Sequence, residues 1–122
     1  LGQTLTATGN LSTPVAEDWV AVTFGGDHNN KTYHPSVAVT GGSAGEFVFD
    51  IVASCGGAQL ACGDGGNCTG KTTWEVMYGA QATGKYGDPG WQGIPAVGTV
   101  YVRVYRGTGP VTCDQFTLTM GD

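Results

Sequence analysis

Apolar and polar residues alternate with a period of two through most of the chain. In residues 99–105, three valines at even positions alternate with Tyr101, Arg103 and Tyr105 at odd positions. Successive side chains of a β-strand point to opposite faces, so this period is typical of strands with one buried face. Each run is bounded by Gly, Pro, Asn or Asp, which favour turns. The pattern predicts eight strands, at residues 5–8, 19–24, 36–40, 46–52, 59–62, 72–78, 99–105 and 116–120.

The composition agrees with an all-β fold. Of the 122 residues, 22 are Gly, and only 12% are charged. Such a chain is poor in the residues that build long helices and rich in those that allow tight turns. We therefore predict a single domain over residues 1–122, folded as an antiparallel two-sheet β-sandwich of jelly-roll-like form.

The charge balance limits the partners. The formal net charge is -5, and Lys and Arg together number five. Nucleic acids and anionic membrane surfaces attract basic patches, which this chain lacks, and its apolar runs are too short to span a membrane. We expect no nucleic-acid partner and no membrane insertion. Because the chain begins at Leu1, we expect a processed protein or a domain of a longer one.

The four cysteines indicate an oxidising compartment. Cys55, Cys62, Cys68 and Cys113 are separated by six, five and forty-four residues, which does not fit the short spacings of zinc sites. An even count in a small, loop-rich domain favours two disulfides and a secreted, extracellular or cell-surface location. We expect Cys62–Cys68 with Cys55–Cys113. The alternative is Cys55–Cys62 with Cys68–Cys113.

Two glycine-rich segments imitate catalytic motifs. Residues 65–72 match the phosphate-binding loop and residues 41–45 match the serine nucleophile elbow. Both motifs require a helix directly after them, whereas strands are predicted here. The histidines His28 and His34 precede the serine and, with Asp27, are interpreted as a solvated loop. We therefore expect no catalytic residues, no metal site and no enzyme activity.

Calcium is the one cofactor that the sequence keeps open. Asp50, Asp64, Asp88 and Asp114 lie near predicted strand ends, and the loop around Asp64 could supply further oxygens. Turn chemistry accounts for the same residues more simply. No cofactor is therefore expected, with calcium as the alternative.

Three N-x-[ST] sequons begin at Asn10, Asn30 and Asn67. All three fall in predicted turns, where a glycan could be accommodated. They are candidate glycosylation sites.

The candidate ligand-binding residues are aromatic. The segment 79–98 has no strand pattern, and connections of this length are often functional. Its rings either pack back onto the sheet or form a contact surface, together with a stripe on strand 99–105. The candidates are Tyr78, Tyr86, Trp91, Tyr101 and Tyr105.

Four segments resemble the bacterial pre-peptidase C-terminal (PPC) domain family: residues 18–22, 47–51, 98–104 and 116–119. The pieces around Cys55 and Cys113 look like a myxobacterial branch of such domains. The resemblance implies a secreted, non-catalytic β-sandwich with Trp19 in its core. The calcium segment of related collagen-binding domains has no acidic counterpart in residues 1–4. Tyr101, Arg103 and Tyr105 form a plausible equivalent of their binding stripe.

Two functions are therefore expected. The first is a non-catalytic extracellular accessory domain that binds a polysaccharide or a protein through aromatic side chains. The alternative is a structural subunit that pairs with copies of itself through its edge strands to form a surface layer or fibre.

Overall fold

The computed structural model describes residues 3–24, 35–58, 61–62, 66–75 and 98–121. Within these ranges the chain forms strands and no helix, and so no helix of membrane-spanning length. Nine strands occur there: β1 (Thr4–Asn10), β2 (Glu17–Phe24), β3 (Ser36–Thr40), β4 (Phe47–Val52), β5 (Ala61–Cys62), β6 (Gly66–Asn67), β7 (Thr73–Glu75), β8 (Gly98–Arg106) and β9 (Gln115–Gly121).

Seven of these strands build two antiparallel sheets. Sheet A has the order β1-β9-β3-β7, and sheet B has the order β2-β8-β4. The short strands β5 and β6 pair with each other. The prediction of an all-β, two-sheet antiparallel sandwich is therefore confirmed.

The core lies between the sheets and follows the predicted alternation. In β8 the three valines at even positions are at most 1% exposed, and in β4 Phe49 and Ile51 are fully buried. Sheet A contributes Phe116 and Leu118 from its second strand, β9. Burial of these large apolar side chains is the main stabilising term of such a fold.

Strand positions agree with the prediction except at the loops. Every predicted strand overlaps an observed one in the described ranges. The predicted strand 72–78 is represented by Thr73–Glu75, and its last three residues lie outside those ranges. Gly66–Asn67 forms a strand inside a segment predicted as a loop, because it pairs antiparallel with Ala61–Cys62.

Neither predicted pairing of Cys55 and Cys113 is correct, because both thiols are free and exposed. Cys55 follows the end of β4. Cys113 directly follows Thr112, which bonds Glu46, the residue just before β4. The six residues of β4 span roughly 20 Å, whereas a disulfide needs Cα atoms within about 7 Å. Cys68 is buried and disulfide-bonded, and the side chain of Cys62 lies outside the described part.

Trp19 is not in the core, contrary to what the PPC resemblance implies. Val20 packs against the core, and Val22 and Phe24 are buried within it. Trp19 has the opposite parity in β2 and is half-buried on the outward face of sheet B. The alternation of β2 therefore decides the position of the tryptophan.

Candidate functional site

The outward face of sheet B carries three aromatic side chains around one arginine. Arg103 of β8 lies directly between Trp19 of β2 and Asp50 of β4 in the strand register. Tyr101 and Tyr105 lie two residues away on either side, and all three rings are half-buried. We define the outer aromatic face as Trp19, Tyr101, Arg103 and Tyr105.

Asp50 of β4 supports the outer aromatic face from its buried side. Its carboxylate is fully buried, yet it lies on the outward side of β4. The burial comes from the segment that begins at Cys68. This segment lies against β4 through backbone hydrogen bonds of Lys71 with Phe49 and of Cys68 with Ile51. A buried carboxylate must be compensated by donors.

At least three donors satisfy Asp50. Arg103 Nη2 donates to Oδ2 over 2.6 Å, and the Tyr105 hydroxyl donates to Oδ1 over 2.9 Å. The backbone N–H of Gly70 also donates to Oδ1, over 2.9 Å. The Arg103 guanidinium carbon additionally lies 4.9 Å from the centroid of the Tyr105 ring, a cation–π distance.

Glu17 extends the network to the tryptophan. The Trp19 indole Nε1–H donates to Glu17 Oε1 over 2.9 Å, and Glu17 Oε2 lies 3.5 Å from Arg103 Nη1. The indole, the carboxylate, the guanidinium and the phenol are thus fixed by one another before any ligand arrives. Such preorganisation lowers the entropic cost of binding.

The electrostatics of the face follow from these contacts. The hydrogen bond to Asp50 raises the pKa of Arg103 above its ordinary value. Burial, followed by the hydrogen bond to Asp50, raises the pKa of the Tyr105 phenol. At neutral pH the arginine is charged and the phenol is protonated. The only O–H of the phenol is used by Asp50, so the donors left for a ligand belong to the Arg103 guanidinium.

A shallow cavity of about 160 Å³ adjoins the face. Arg103 and Tyr105 form one wall, and the connection between β1 and β2 forms the other. Its lining residues are Pro14, Val15, Ala16, Glu17, Arg103 and Tyr105.

A second arginine of β8 forms a different cluster at the end of the core. Arg106 donates through Nη1 to Glu46 over 2.6 Å, through Nε to the Leu11 carbonyl and through Nη2 to the Thr112 carbonyl. Its guanidinium carbon lies 5.0 Å from the centroid of the Phe47 ring. We define the Arg106 cluster as Arg106, Glu46 and Thr112.

Glu46 is the acidic centre of the Arg106 cluster. It accepts hydrogen bonds from the Thr112 hydroxyl, the Ser43 backbone N–H and Arg106. These contacts, with that of Thr112 the strongest, lower its pKa from 4.5 to about 2.

The segments that imitate catalytic motifs have structural roles in the described residues. Residues 41–45 form the turn between β3 and β4, in which Gly42 has φ 57° and a Cβ there would collide with the Glu46 carboxylate. The phosphate-loop pattern is followed by the strand Thr73–Glu75. Asp27, His28 and His34 lie outside the described residues.

The candidate calcium residues do not converge where they can be described. Asp50 lies within β4 and is bound by donors, whereas the exposed Asp114 lies just before β9. Asp64 and Asp88 lie outside the described ranges. Among the residues that the structure describes, no group of three His, Cys, Asp or Glu is arranged to hold a metal ion.

The sequons occupy different environments. Asn10 ends β1, and its side-chain amide donates to the carbonyls of Cys113 and Asp114, so a glycan would replace a hydrogen used there. Asn67 lies in β6 rather than in a turn. Asn30 is outside the described part, and glycosylation at all three stays a prediction.

The structure describes two of the five predicted ligand-binding residues. Tyr101 and Tyr105 lie on the outer aromatic face, as their alternation predicts, whereas Tyr78, Tyr86 and Trp91 lie outside the described residues. Trp19, Glu17 and Asp50 were not predicted as members of the site. The parity of β2 could have indicated Trp19, but the burial of Asp50 depends on the distant segment after Cys68.

No protein-family model, curated protein or solved structure matches the chain. The resemblance to PPC domains therefore stays a prediction.

Proposed function

We propose that the chain is a non-catalytic binding module that recognises a neutral glycan on the outer aromatic face. The observation that carries the proposal is that three rings surround a single arginine whose position is fixed by buried Asp50. Aromatic side chains combine a large apolar surface with a polar edge, which suits a sugar ring.

The open positions of the sheet support a ligand that lies flat. Ala21 and Thr23 are exposed on β2, beside and beyond Tyr101, and neither has a bulky side chain. A sugar can therefore approach the Tyr101 ring, while Arg103 donates to its hydroxyl groups and Glu17 accepts from them.

The charge of the face favours a neutral ligand. Arg103 carries one positive charge against the two negative charges of Asp50 and Glu17, and the whole chain carries -5. A uronic acid or sulfated sugar would meet net repulsion, whereas hydroxyl groups would not. Both carboxylates are also engaged by donors, which suits positioning rather than proton transfer.

The test is binding of the purified chain to an array of neutral and uronic-acid oligosaccharides, followed by calorimetry on the best binder. We expect neutral sugars to bind. Y101A should weaken binding about tenfold or more, as expected for an aromatic anchor. Y101F should bind nearly as well, and V111A, at an exposed valine outside the face, should bind as the wild type.

Preferential binding of the acidic sugars would contradict the charge argument. Equal affinity of Y101A and the wild type would remove the outer aromatic face from the site. A chain that binds a protein and no sugar would also overturn the proposal.

Secretion and an extracellular or cell-surface location remain part of the proposal. They agree with the disulfide at Cys68. The accessory role in a larger secreted protein rests on the PPC resemblance alone.

A further inference from the structure

The four edges of sheets A and B differ in how they are protected. Edge strands carry unpaired N–H and C=O groups that can pair with another chain. The outer edge of β4 bonds to Lys71 and Cys68. β2 begins with two acidic residues, Glu17 and Asp18, and β7, as far as the structure describes it, has three residues. These three edges are covered, charged or short.

Among the residues that the structure describes, the strand β1 has none of these protections. It has seven residues, Thr4–Asn10, with no charge and no proline. It pairs with β9 on one side and is the terminal strand of sheet A. A long, uncharged edge of this kind favours pairing between chains.

Leu5 shows that the edge is incompletely covered. It lies opposite the buried Met120 and therefore points toward the inner side of the sheet. Even so, it is 63% exposed. An additional strand beside β1 would bury apolar surface there.

The sequence of β1 is suited to pairing with itself. Residues 4–8 read T-L-T-A-T. In an antiparallel pair centred on Thr6, Thr4 faces Thr8, Thr6 faces its own copy and Leu5 faces Ala7. The outward side then carries Thr–Thr pairs, which are favourable, and the inward side covers Leu5.

We propose that β1 pairs with β1 of a second copy about a two-fold axis at Thr6, giving a dimer with a continuous eight-stranded sheet. The occupant is a second copy because the register is self-complementary and no charge of β1 opposes its own image. Such an interface is closed and does not propagate into a fibre. It is independent of the outer aromatic face, which lies on the other sheet.

The test is sedimentation equilibrium of the wild-type chain, T6K and T40K from about 1 μM to about 1 mM. Thr6 and Thr40 are both exposed on the outward side of sheet A, but Thr40 lies on the interior strand β3. The wild type and T40K should approach twice the monomer mass of 12.5 kDa. T6K places like charges directly opposite each other and should raise the dimer dissociation constant about tenfold or more.

A second measurement tests the register without a new charge. In a C55S/C113S background, T6C places two thiols across the axis at a Cα distance of about 4.5–5.5 Å, within disulfide range. Dissolved oxygen with a copper catalyst should convert T6C, but not T40C, to a covalent dimer. A monomeric mass at every concentration, equal effects of T6K and T40K, or equal cross-linking of T6C and T40C would overturn the proposal, as would open-ended polymers.

Discussion

Two arginines of β8, three residues apart, each pair with a carboxylate at β4, yet they do different things. Arg106 faces the inner side, and its side chain is 5% exposed beside Glu46 at 4%. Arg103 faces outward, and its side chain is 34% exposed above the buried Asp50. An arginine–carboxylate pair therefore closes the core at Arg106 and forms part of the surface at Arg103.

The difference lies in where the guanidinium donors go. In Arg106, Nε and both terminal nitrogens donate to protein oxygens that hold three separate segments together. In Arg103, one terminal nitrogen bonds Asp50, and the other lies 3.5 Å from Glu17. A fully engaged guanidinium stabilises the fold, whereas a partly engaged one retains donors for a ligand.

Loss of Arg106 should have the largest effect. R106A leaves the carbonyls of Leu11 and Thr112 without their donor in a partly buried place, at about 1–3 kcal/mol each. We expect a loss of about 3 kcal/mol and a fall in Tm of roughly 10 °C by calorimetry. R106K keeps the charge but not the planar set of guanidinium donors. Its stability should therefore lie between those of the wild type and R106A. A Tm of R106A within about 2 °C of the wild type would contradict this reading.

The Arg106 cluster should also control stability in acid. The pKa of Glu46 is lowered from 4.5 to about 2. The stabilisation of the fold by its charged carboxylate is therefore fully present above pH 4.5 and is lost as the pH falls toward 2. The difference in unfolding free energy between the wild type and E46Q should therefore shrink between pH 4.5 and pH 2. Urea unfolding at several pH values measures it. A difference independent of pH would show that Glu46 does not act through its charge.

Loss of Arg103 should affect binding more than stability. In R103A, Asp50 keeps the donors of Tyr105 and Gly70, and water can enter where the exposed guanidinium was. We expect a loss of about 1–2 kcal/mol by urea unfolding and a loss of glycan affinity of about tenfold. Equal destabilisation of the fold by R103A and R106A would contradict the different roles of the two arginines. Sugar binding by R103A with wild-type affinity would contradict them as well.

The sequence predicts the sandwich well because alternation and turn residues are local signals. It also places Tyr101, Arg103 and Tyr105 together, since one strand contains all three. It does not predict the burial of Asp50, because the segment that covers it begins eighteen residues later along the chain, at Cys68. The error on Trp19 arose from family resemblance, which the parity of β2 overrides. The error on Cys55 and Cys113 has the same origin as the missed burial of Asp50, since only the register of β4 shows how far apart they lie.

The smallest effect is expected at Tyr105, whose hydroxyl is one of the donors to Asp50. Y105F should cost about 1 kcal/mol and retain the ring over which Arg103 lies. Burial and the hydrogen bond to Asp50 raise the pKa of this phenol above 10.0. The stabilisation that the protonated phenol gives to the fold is therefore fully present below pH 10, and it is lost as the pH rises through the pKa of Tyr105 in the folded protein. The ultraviolet difference titration of wild type minus Y105F should therefore show one phenol that ionises above its usual range. A difference curve centred at or below 10.0 would mean that Tyr105 is solvated and that its hydroxyl does not hold Asp50.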